Sequence, residues 1–196
     1  MNAPEILAAI TPVVEALEQL GVAYHIGGSV ASSIYGIIRA TIDADLVADL
    51  RLEHVRLLVK QLEPNYYIDA DAVRDAIRRR SSFNAIHLDT MLKVDVFIPK
   101  TRLFDREELR RVRLEVLVEG TRPFYTASPE GTILNKLEWY RMGGEVSDRQ
   151  WNDILGVLKV QGTALDLPYL RRWATNLSVA DLLERAFVDA GLEESE

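Results

Sequence analysis

The sequence predicts an α+β fold, in which a mixed sheet flanked by helices is followed by an α-helical bundle. As far as Thr126, short apolar strand patterns alternate with helical patterns. Beyond Thr126 only helical periodicity recurs, and it begins with the cap, proline and acid of Ser128-Pro129-Glu130. We therefore expect two domains, one carrying the sheet over residues 1–126 and one built of helices over residues 127–196.

The amino-acid composition is that of an ordinary soluble globular protein. The 196 residues are 48% hydrophobic and 27% charged, and none is a cysteine. Disulfides and thiolate metal sites are therefore excluded. No signal peptide is visible, and no apolar run reaches the roughly 20 residues that span a bilayer. We expect a cytoplasmic protein with no membrane partner.

The charge is unevenly distributed along the chain. The net charge of −7 argues against a general nucleic-acid coat protein. Between Arg74 and Arg113, however, eleven Lys or Arg accompany only six Asp or Glu. This basic stretch is open to two interpretations, phosphate binding or solvated faces of helices and strands.

Periodicity and turn residues predict the elements of the first 126 residues. The predicted helices cover residues 4–20, 30–37, 52–62 and 71–79. The predicted strands cover residues 22–26, 42–50, 66–68, 83–88, 91–98 and 112–118. The strands at 83–88 and 91–98 are expected to form a pair joined by a tight turn near Asp89.

A glycine-serine pair closes the first strand and opens a helix. Gly28 permits close approach of the backbone to a phosphate group, and the N-terminus of the helix offers free N–H groups to an anion. Ser29 adds a hydroxyl donor. These two residues are therefore candidate phosphate ligands, although a glycine pair after a strand is by itself usually a turn.

Two carboxylates follow in the next predicted strand. Asp43-Ala44-Asp45 begins after a gap of thirteen residues, and strand alternation places Asp43 and Asp45 on one face. Two carboxylates this close repel each other, and Mg²⁺, or Mn²⁺ in its place, relieves that repulsion. A D-x-D pair alone is usually a solvated acidic patch, but its combination with glycine-serine in one strand–helix–strand unit is far more specific.

This segment resembles the minimal nucleotidyltransferases of the polymerase-beta-like superfamily. Their pattern of strand, glycine-serine, short helix and D-x-D matches Gly28, Ser29, Asp43 and Asp45. The resemblance implies a nucleotidyltransferase-like sheet and a third carboxylate on a nearby strand. Asp95 is the candidate, since it lies between two valines of an alternating strand. The alternative is that Asp95 lies on an exposed strand face and pairs with Lys93.

The resemblance also points to residues just before the acidic pair. Family members often carry a basic residue and a small hydroxyl there, as in Arg39-x-Thr41-x-Asp43. Thr41 is expected to hydrogen-bond an aspartate, and Arg39 to bind a phosphate. The alternative for Arg39 is an ordinary surface side chain.

The helical part is similar to abortive-infection-type (AbiEii-like) nucleotidyltransferase-fold proteins. That similarity implies that Lys136 contacts the triphosphate and that Arg149 with Asp153 braces the site. The sequence departs from the family at Trp151 and Asn152, where a lysine and an acid are usual. The alternatives are a solvated Lys136 and an i, i+4 pair that simply supports a helix.

The remaining candidates are expected to be structural. Histidines 25, 54 and 87 lack zinc-ligand spacing, and His25 is expected to pack beside the glycines. The aromatic residues Trp139, Tyr140 and Trp151 lie at helical spacing and are expected in the core.

These observations lead to a functional hypothesis with two alternatives. Asp43, Asp45 and Asp95 are expected to act with Mg²⁺ in moving a nucleoside monophosphate from a nucleoside triphosphate, ATP among them, to an acceptor hydroxyl. That acceptor, whether RNA, protein or small molecule, is left open. One alternative is a non-catalytic nucleotide-binding module, or a module that binds a partner protein, from a toxin–antitoxin-like pair. The other is an antibiotic-modifying transferase.

Overall fold

The computed structural model describes residues 3–38, 41 and 43–192, except for the side chain of Ala3. Arg39 therefore lies outside the described residues. The strands are β1 (Tyr24–Ile26), β2 (Asp43–Ala48), β3 (Tyr66–Tyr67), β4 (Ser82–His87), β5 (Lys93–Phe97), β6 (Arg113–Val116) and β7 (Pro123–Thr126). The helices are α1 (Ala3–Gln19), α2 (Gly28–Tyr35), α3 (Val55–Leu62), α4 (Ala70–Arg79), α5 (Leu103–Arg110), α6 (Pro129–Met142), α7 (Asp148–Gln161), α8 (Leu167–Asn176) and α9 (Ala180–Ala190).

The chain divides into two compact units. The first unit comprises Met1–Gly27 and Ala40–Thr126, and it contains the sheet. The second comprises Gly28–Arg39 and Ala127–Glu196, so that α2 belongs with the C-terminal helices. The expected domains at residues 1–126 and 127–196 stay a prediction.

A seven-stranded mixed sheet forms the centre of the first unit. The strand order is β3-β4-β5-β2-β1-β7-β6. The pairs β2–β5 and β1–β7 are parallel, and the other pairs are antiparallel. The expected pairing of the strands around Asp89 is confirmed, since β4 and β5 are antiparallel neighbours. The mixed sheet and the run of helices after it confirm the predicted α+β fold.

Strand alternation determines which face of the sheet is buried. Along β2 the buried residues are Ala44, Leu46 and Ala48, and the intervening residues are half-buried. The same alternation buries Val94 and Val96 of β5. Helix α1 packs against both strands, which supplies the apolar cover that the buried face requires. On the opposite face, β2 and β5 carry the paired residues Asp43 and Lys93, Asp45 and Asp95, and Val47 and Phe97.

Helix caps in the second unit lie where turn residues predict them. The Ser128 side chain accepts a hydrogen bond from the Gly131 N–H at 3.0 Å, and Pro129 occupies the first turn of α6. The Ser147 side chain likewise caps α7.

The expectation of a buried Trp139 is wrong, because this side chain is 49% exposed, whereas Tyr140 and Trp151 are buried. No helix in the described part of the chain is long and apolar enough to cross a membrane.

Two elements have no counterpart among the predicted ones, namely α5 and β7. Helix α5 buries only Phe104, Asp105 and Glu108, and two of these three residues are acids that interrupt the apolar pattern. Strand β7 has four residues and begins with Pro123. Both elements therefore lack the local periodicity on which prediction depends.

Close packing of α2 against α7 makes Gly36 a sensitive position. A Cβ atom at Gly36 would lie 2.8 Å from the Val157 backbone nitrogen and 2.9 Å from the Gly156 carbonyl carbon. These neighbours are backbone atoms that cannot rotate away. We expect Gly36→Ala to reduce the free energy of unfolding by about 1–3 kcal/mol, as measured by urea denaturation.

Gly27→Ala is the matched control, since no heavy atom beyond its two chain neighbours lies within 4 Å of a Cβ placed there. Equal unfolding free energies for the two variants would contradict this account of the α2–α7 contact.

Candidate active site

The three predicted carboxylates lie on one face of the sheet. Strands β2 and β5 are parallel neighbours, and their register places Asp45 opposite Asp95 and Asp43 opposite Lys93. Adjacent strands are about 4.8 Å apart. All four residues share the parity opposite to that of the buried residues Ala44 and Val94. The pairing of β2 with β5 therefore brings the third acid beside the first two.

Thr41 fixes the orientation of the first carboxylate. Its hydroxyl lies 2.8 Å from Asp43 Oδ1, to which it donates, and 3.0 Å from the Asp43 carbonyl oxygen. Thr41 is itself buried. The predicted hydrogen bond from Thr41 to an aspartate is confirmed.

A lysine balances the charge of the carboxylates. Lys93 Nζ lies 2.7 Å from Asp95 Oδ2. The hydrogen bond to Asp95, and then the negative charges of Asp95, Asp43 and Asp45, raise the pKa of Lys93. The sequence suggested this pairing only as the structural alternative for Asp95, and Lys93 was not among the predicted site residues.

The donor set fits a hard divalent cation. Carboxylate oxygens are the ligands that Mg²⁺ prefers, and one or two of them usually suffice together with substrate phosphates. Among the described residues, no group of three or more His, Cys, Asp or Glu side chains is arranged around a common metal position. Asp95 is instead bonded to Lys93. Asp43 and Asp45 are therefore the first candidate ligands, whereas one carboxylate oxygen of Asp95, Oδ2, already bonds Lys93.

The glycine-serine pair opens α2 in the second unit. Gly28 has a φ of +53°, a left-handed conformation that favours glycine. Ser29 is buried, and its carbonyl oxygen accepts a hydrogen bond of 3.1 Å from the Ser32 hydroxyl. The predicted start of a helix at this pair is confirmed, and its backbone amides are those of a helix N-terminus.

Lys136 and Asp153 form a buried ion pair between α6 and α7. Lys136 Nζ lies 2.8 Å from Asp153 Oδ2, and the two side chains are 10% and 7% exposed. The alternative of a solvated Lys136 is therefore wrong. Arg149, one turn earlier on α7, is exposed. The structure thus brings Asp153 together with Lys136, and it leaves Arg149 at the surface.

His25 and Glu108 are buried together on the carboxylate face. His25 on β1 lies opposite Val47 on β2, which makes His25 a diagonal neighbour of Asp45. Its Nε2 is 3.9 Å from Glu108 Oε1, too long for a hydrogen bond. Complete burial lowers the pKa of His25 to about 4. The imidazole is therefore neutral near pH 7, and this contact is not an ion pair.

The burial of His25 predicts a specific pH dependence of stability. The pKa falls from its usual value of 6.5 to about 4 on folding, so between these values the unfolded chain binds the proton preferentially. Stability is therefore fully present above pH 6.5 and declines as the pH falls toward 4, by up to about 3 kcal/mol. We expect His25→Leu to remove this decline when urea denaturation is measured between pH 8 and pH 4.5.

The two stability curves should run parallel between pH 7 and pH 8, which provides an internal reference. If they also run parallel between pH 6.5 and pH 4.5, His25 does not stay neutral in the folded protein.

The fold is similar to solved structures of nucleotidyltransferases. The solution structure of the antibiotic-resistance factor ANT(2'')-Ia has a TM-score of 0.57 and 12% identity, over 94% of this chain and 99% of that one. Its crystal structure in complex with adenylyl-2''-tobramycin gives 0.56 and 14%, over 89% and 97%. An antigenic nucleotidyltransferase-like protein from Paracoccidioides brasiliensis gives 0.51 and 17%, over 87% and 90%.

These similarities define the class of fold. The mixed sheet with its C-terminal helices is the nucleotidyltransferase fold, as the resemblance of residues 24–50 implied. At 12–17% identity the likeness extends to the fold alone. No protein-family model matches the sequence, and no curated protein matches it.

Proposed function

We propose that the protein transfers a nucleoside monophosphate from a nucleoside triphosphate to an acceptor hydroxyl. The observation that carries this proposal is the register of β2 and β5, which sets Asp45 beside Asp95 on the face that also carries Asp43. In this reaction the acceptor oxygen forms a bond to the α-phosphorus. The bond between the α-phosphorus and the pyrophosphate leaving group breaks, and the hydroxyl proton passes to a base.

Each carboxylate has a separate task in this proposal. Asp43 and Asp45 would hold Mg²⁺ or Mn²⁺, and Asp95 would complete the set. The ion would neutralise the charge of the triphosphate and of the leaving group. Thr41 holds the Asp43 carboxylate in one orientation, which favours catalysis because less reorganisation is needed when substrate binds. Asp95 would accept the proton of the acceptor hydroxyl.

Residues outside the carboxylate cluster would bind the nucleotide. Gly28 and Ser29 offer the amides of a helix N-terminus to the terminal phosphates. Arg39 and the exposed Arg149 would supply positive charge. The Lys136–Asp153 pair is buried and already stabilises the helical core. Contact between Lys136 and the triphosphate would be a second role for this lysine.

We propose a small molecule as the acceptor. ANT(2'')-Ia has been solved with adenylyl-2''-tobramycin, an adenylylated antibiotic. The chain matches the ANT(2'')-Ia solution structure over 99% of that protein's length, and the choice of acceptor rests on this similarity of fold. The proposal thus favours the antibiotic-modifying transferase over an enzyme acting on RNA or protein.

One observation favours the non-catalytic alternative. The negative charge of Asp95 is already balanced by the ammonium group of Lys93. An Asp95 held in this ion pair would suit a module that binds nucleotide without transferring it. Such a module could still be one half of a toxin–antitoxin-like pair.

Product analysis separates these possibilities. The protein would be incubated with each α-³²P-labelled triphosphate and Mg²⁺ or Mn²⁺, together with aminoglycosides, cellular RNA or a protein extract. The proposal predicts that the α-³²P label enters a small-molecule acceptor, and that a parallel incubation with γ-³²P-labelled triphosphate yields labelled pyrophosphate. Label from the γ position in the acceptor would indicate phosphoryl transfer instead. Metal-dependent nucleotide binding without product from any pool would establish the non-catalytic module.

A further inference from the structure

Strand β6 lies at the edge of the sheet. In the described residues it pairs only with β7, so the hydrogen-bonding groups along its other side have no strand partner. An open edge is a template for pairing with another chain, and proteins usually protect it with charges, prolines or a covering element. Strand β6 reads Arg113-Leu114-Glu115-Val116, so its two charges alternate with two apolar residues and no proline interrupts it.

The apolar side chains of this edge are exposed. Leu114 is 58% exposed and Val116 is 52% exposed. The β6–β7 register places Tyr125 opposite Leu114 and Pro123 opposite Val116, so all four residues lie on one face of the hairpin. Tyr125 is itself 40% exposed. A contiguous apolar patch beside an open edge is typical of a protein–protein contact.

The sequence of this edge is complementary to itself. When two copies run antiparallel with Leu114 opposite Leu114 on a twofold axis, Arg113 of each copy lies opposite Glu115 of the other. Val112 and Val116 then also face each other. Opposite charges directly across an antiparallel pair are favourable, and a twofold axis forms this pair twice.

The neighbouring registers are unfavourable. In β6, alternate residues direct their N–H and C=O groups away from β7 and toward the open edge. A shift of one residue would place these residues opposite residues of the second copy whose groups already bond β7. A shift of two residues keeps the N–H and C=O groups of the two edges facing each other. It places Arg113 opposite Arg113, or Glu115 opposite Glu115, on the axis. Like charges in that position destabilise the pair. Only the register centred on Leu114 therefore satisfies both the hydrogen bonds and the charges.

We propose that a second copy of this chain pairs with β6, so that the two sheets join edge to edge in a symmetric dimer. The patch formed by Leu114, Val116, Pro123 and Tyr125 then becomes continuous across the axis. This inference is independent of the proposed function, because none of these residues belongs to the carboxylate site.

Charge reversal provides a test that depends on the pairing itself. Sedimentation velocity or light scattering of the full chain should give twice the chain mass of 22.1 kDa. Arg113→Glu and Glu115→Arg each place like charges opposite one another, and each should weaken dimerisation by about tenfold or more. An equimolar mixture of the two variants should restore the dimer, since one copy then carries two arginines and the other two glutamates.

Each outcome decides the proposal. A wild-type chain that stays monomeric throughout a concentration series up to ~1 mM overturns it, and so does undiminished dimerisation of both variants. Failure of the mixture to restore the dimer overturns the register. Glu115 is half-buried, so circular dichroism would check that its variant folds. Should it not fold, Arg113→Glu and Leu114→Lys, both at exposed positions, are expected to be monomeric, and dimeric forms of both would contradict the proposal.

Discussion

Replacing Asp43 and Asp45 by asparagine is expected to abolish nucleotidyl transfer. The double variant keeps the shape of both side chains but removes the charges that would hold a divalent cation on β2. We expect kcat/KM to fall by at least about 10³-fold, which corresponds to about 4 kcal/mol of transition-state stabilisation. The measurement is formation of α-³²P-labelled product at saturating Mg²⁺.

Two controls distinguish the loss of catalysis from a loss of folded protein. Neutralisation removes the repulsion between the two carboxylates but also weakens their interactions with Lys93 and Thr41, so the thermal midpoint should stay close to that of the wild type. Asp89→Asn is the matched control, since Asp89 is exposed in the turn between β4 and β5 and should retain full activity. Unchanged turnover of the double variant would remove both residues from the reaction.

The second large effect concerns the buried pair of Lys136 and Asp153. Lys136→Met leaves the Asp153 carboxylate buried without its ammonium partner at 2.8 Å. Removing one partner of a buried ion pair costs about 3–5 kcal/mol of stability. We expect a loss of this size in the free energy of unfolding, measured by urea denaturation at pH 7.

A compensating variant tests the cause of this loss. Lys136→Met combined with Asp153→Leu replaces the pair with apolar side chains, and it should recover most of the lost stability. Arg74→Met, which breaks an exposed i, i+3 pair on α4, should cost far less. A Lys136→Met protein as stable as the wild type would show that the pair does not hold α6 to α7.

Local sequence pattern predicts the carboxylate strand well for a physical reason. Ala44, Leu46 and Ala48 alternate with Asp43, Asp45 and Val47, so burial of the uninterrupted apolar face of β2 forces Asp43 and Asp45 onto the other face. The hydrogen bond from Thr41 is equally local, because it spans two residues. The buried valines around Asp95 fix its face in the same way, but its partner strand followed only from the family resemblance.

Long-range features escaped prediction. Asp153 bonds to a lysine on another helix, seventeen residues away, rather than to Arg149 on its own helix. The grouping of α2 with the C-terminal helices depends on packing at Gly36 and Gly156, which no periodicity records. The sequence suggested Lys93 only as the partner of an Asp95 without a catalytic role. The negative charges of all three carboxylates nevertheless act on Lys93. These features arise from tertiary packing, and a single sequence carries little direct information about it.

The binding of Mn²⁺ tests the central claim most directly. Electron paramagnetic resonance would measure Mn²⁺ bound in the presence of a triphosphate with a non-cleavable α,β-methylene bridge, so that no turnover is required. The account predicts nucleotide-dependent Mn²⁺ binding by the wild type and its loss in the folded Asp43→Asn/Asp45→Asn variant. Equal Mn²⁺ binding by both proteins would contradict a metal site on β2.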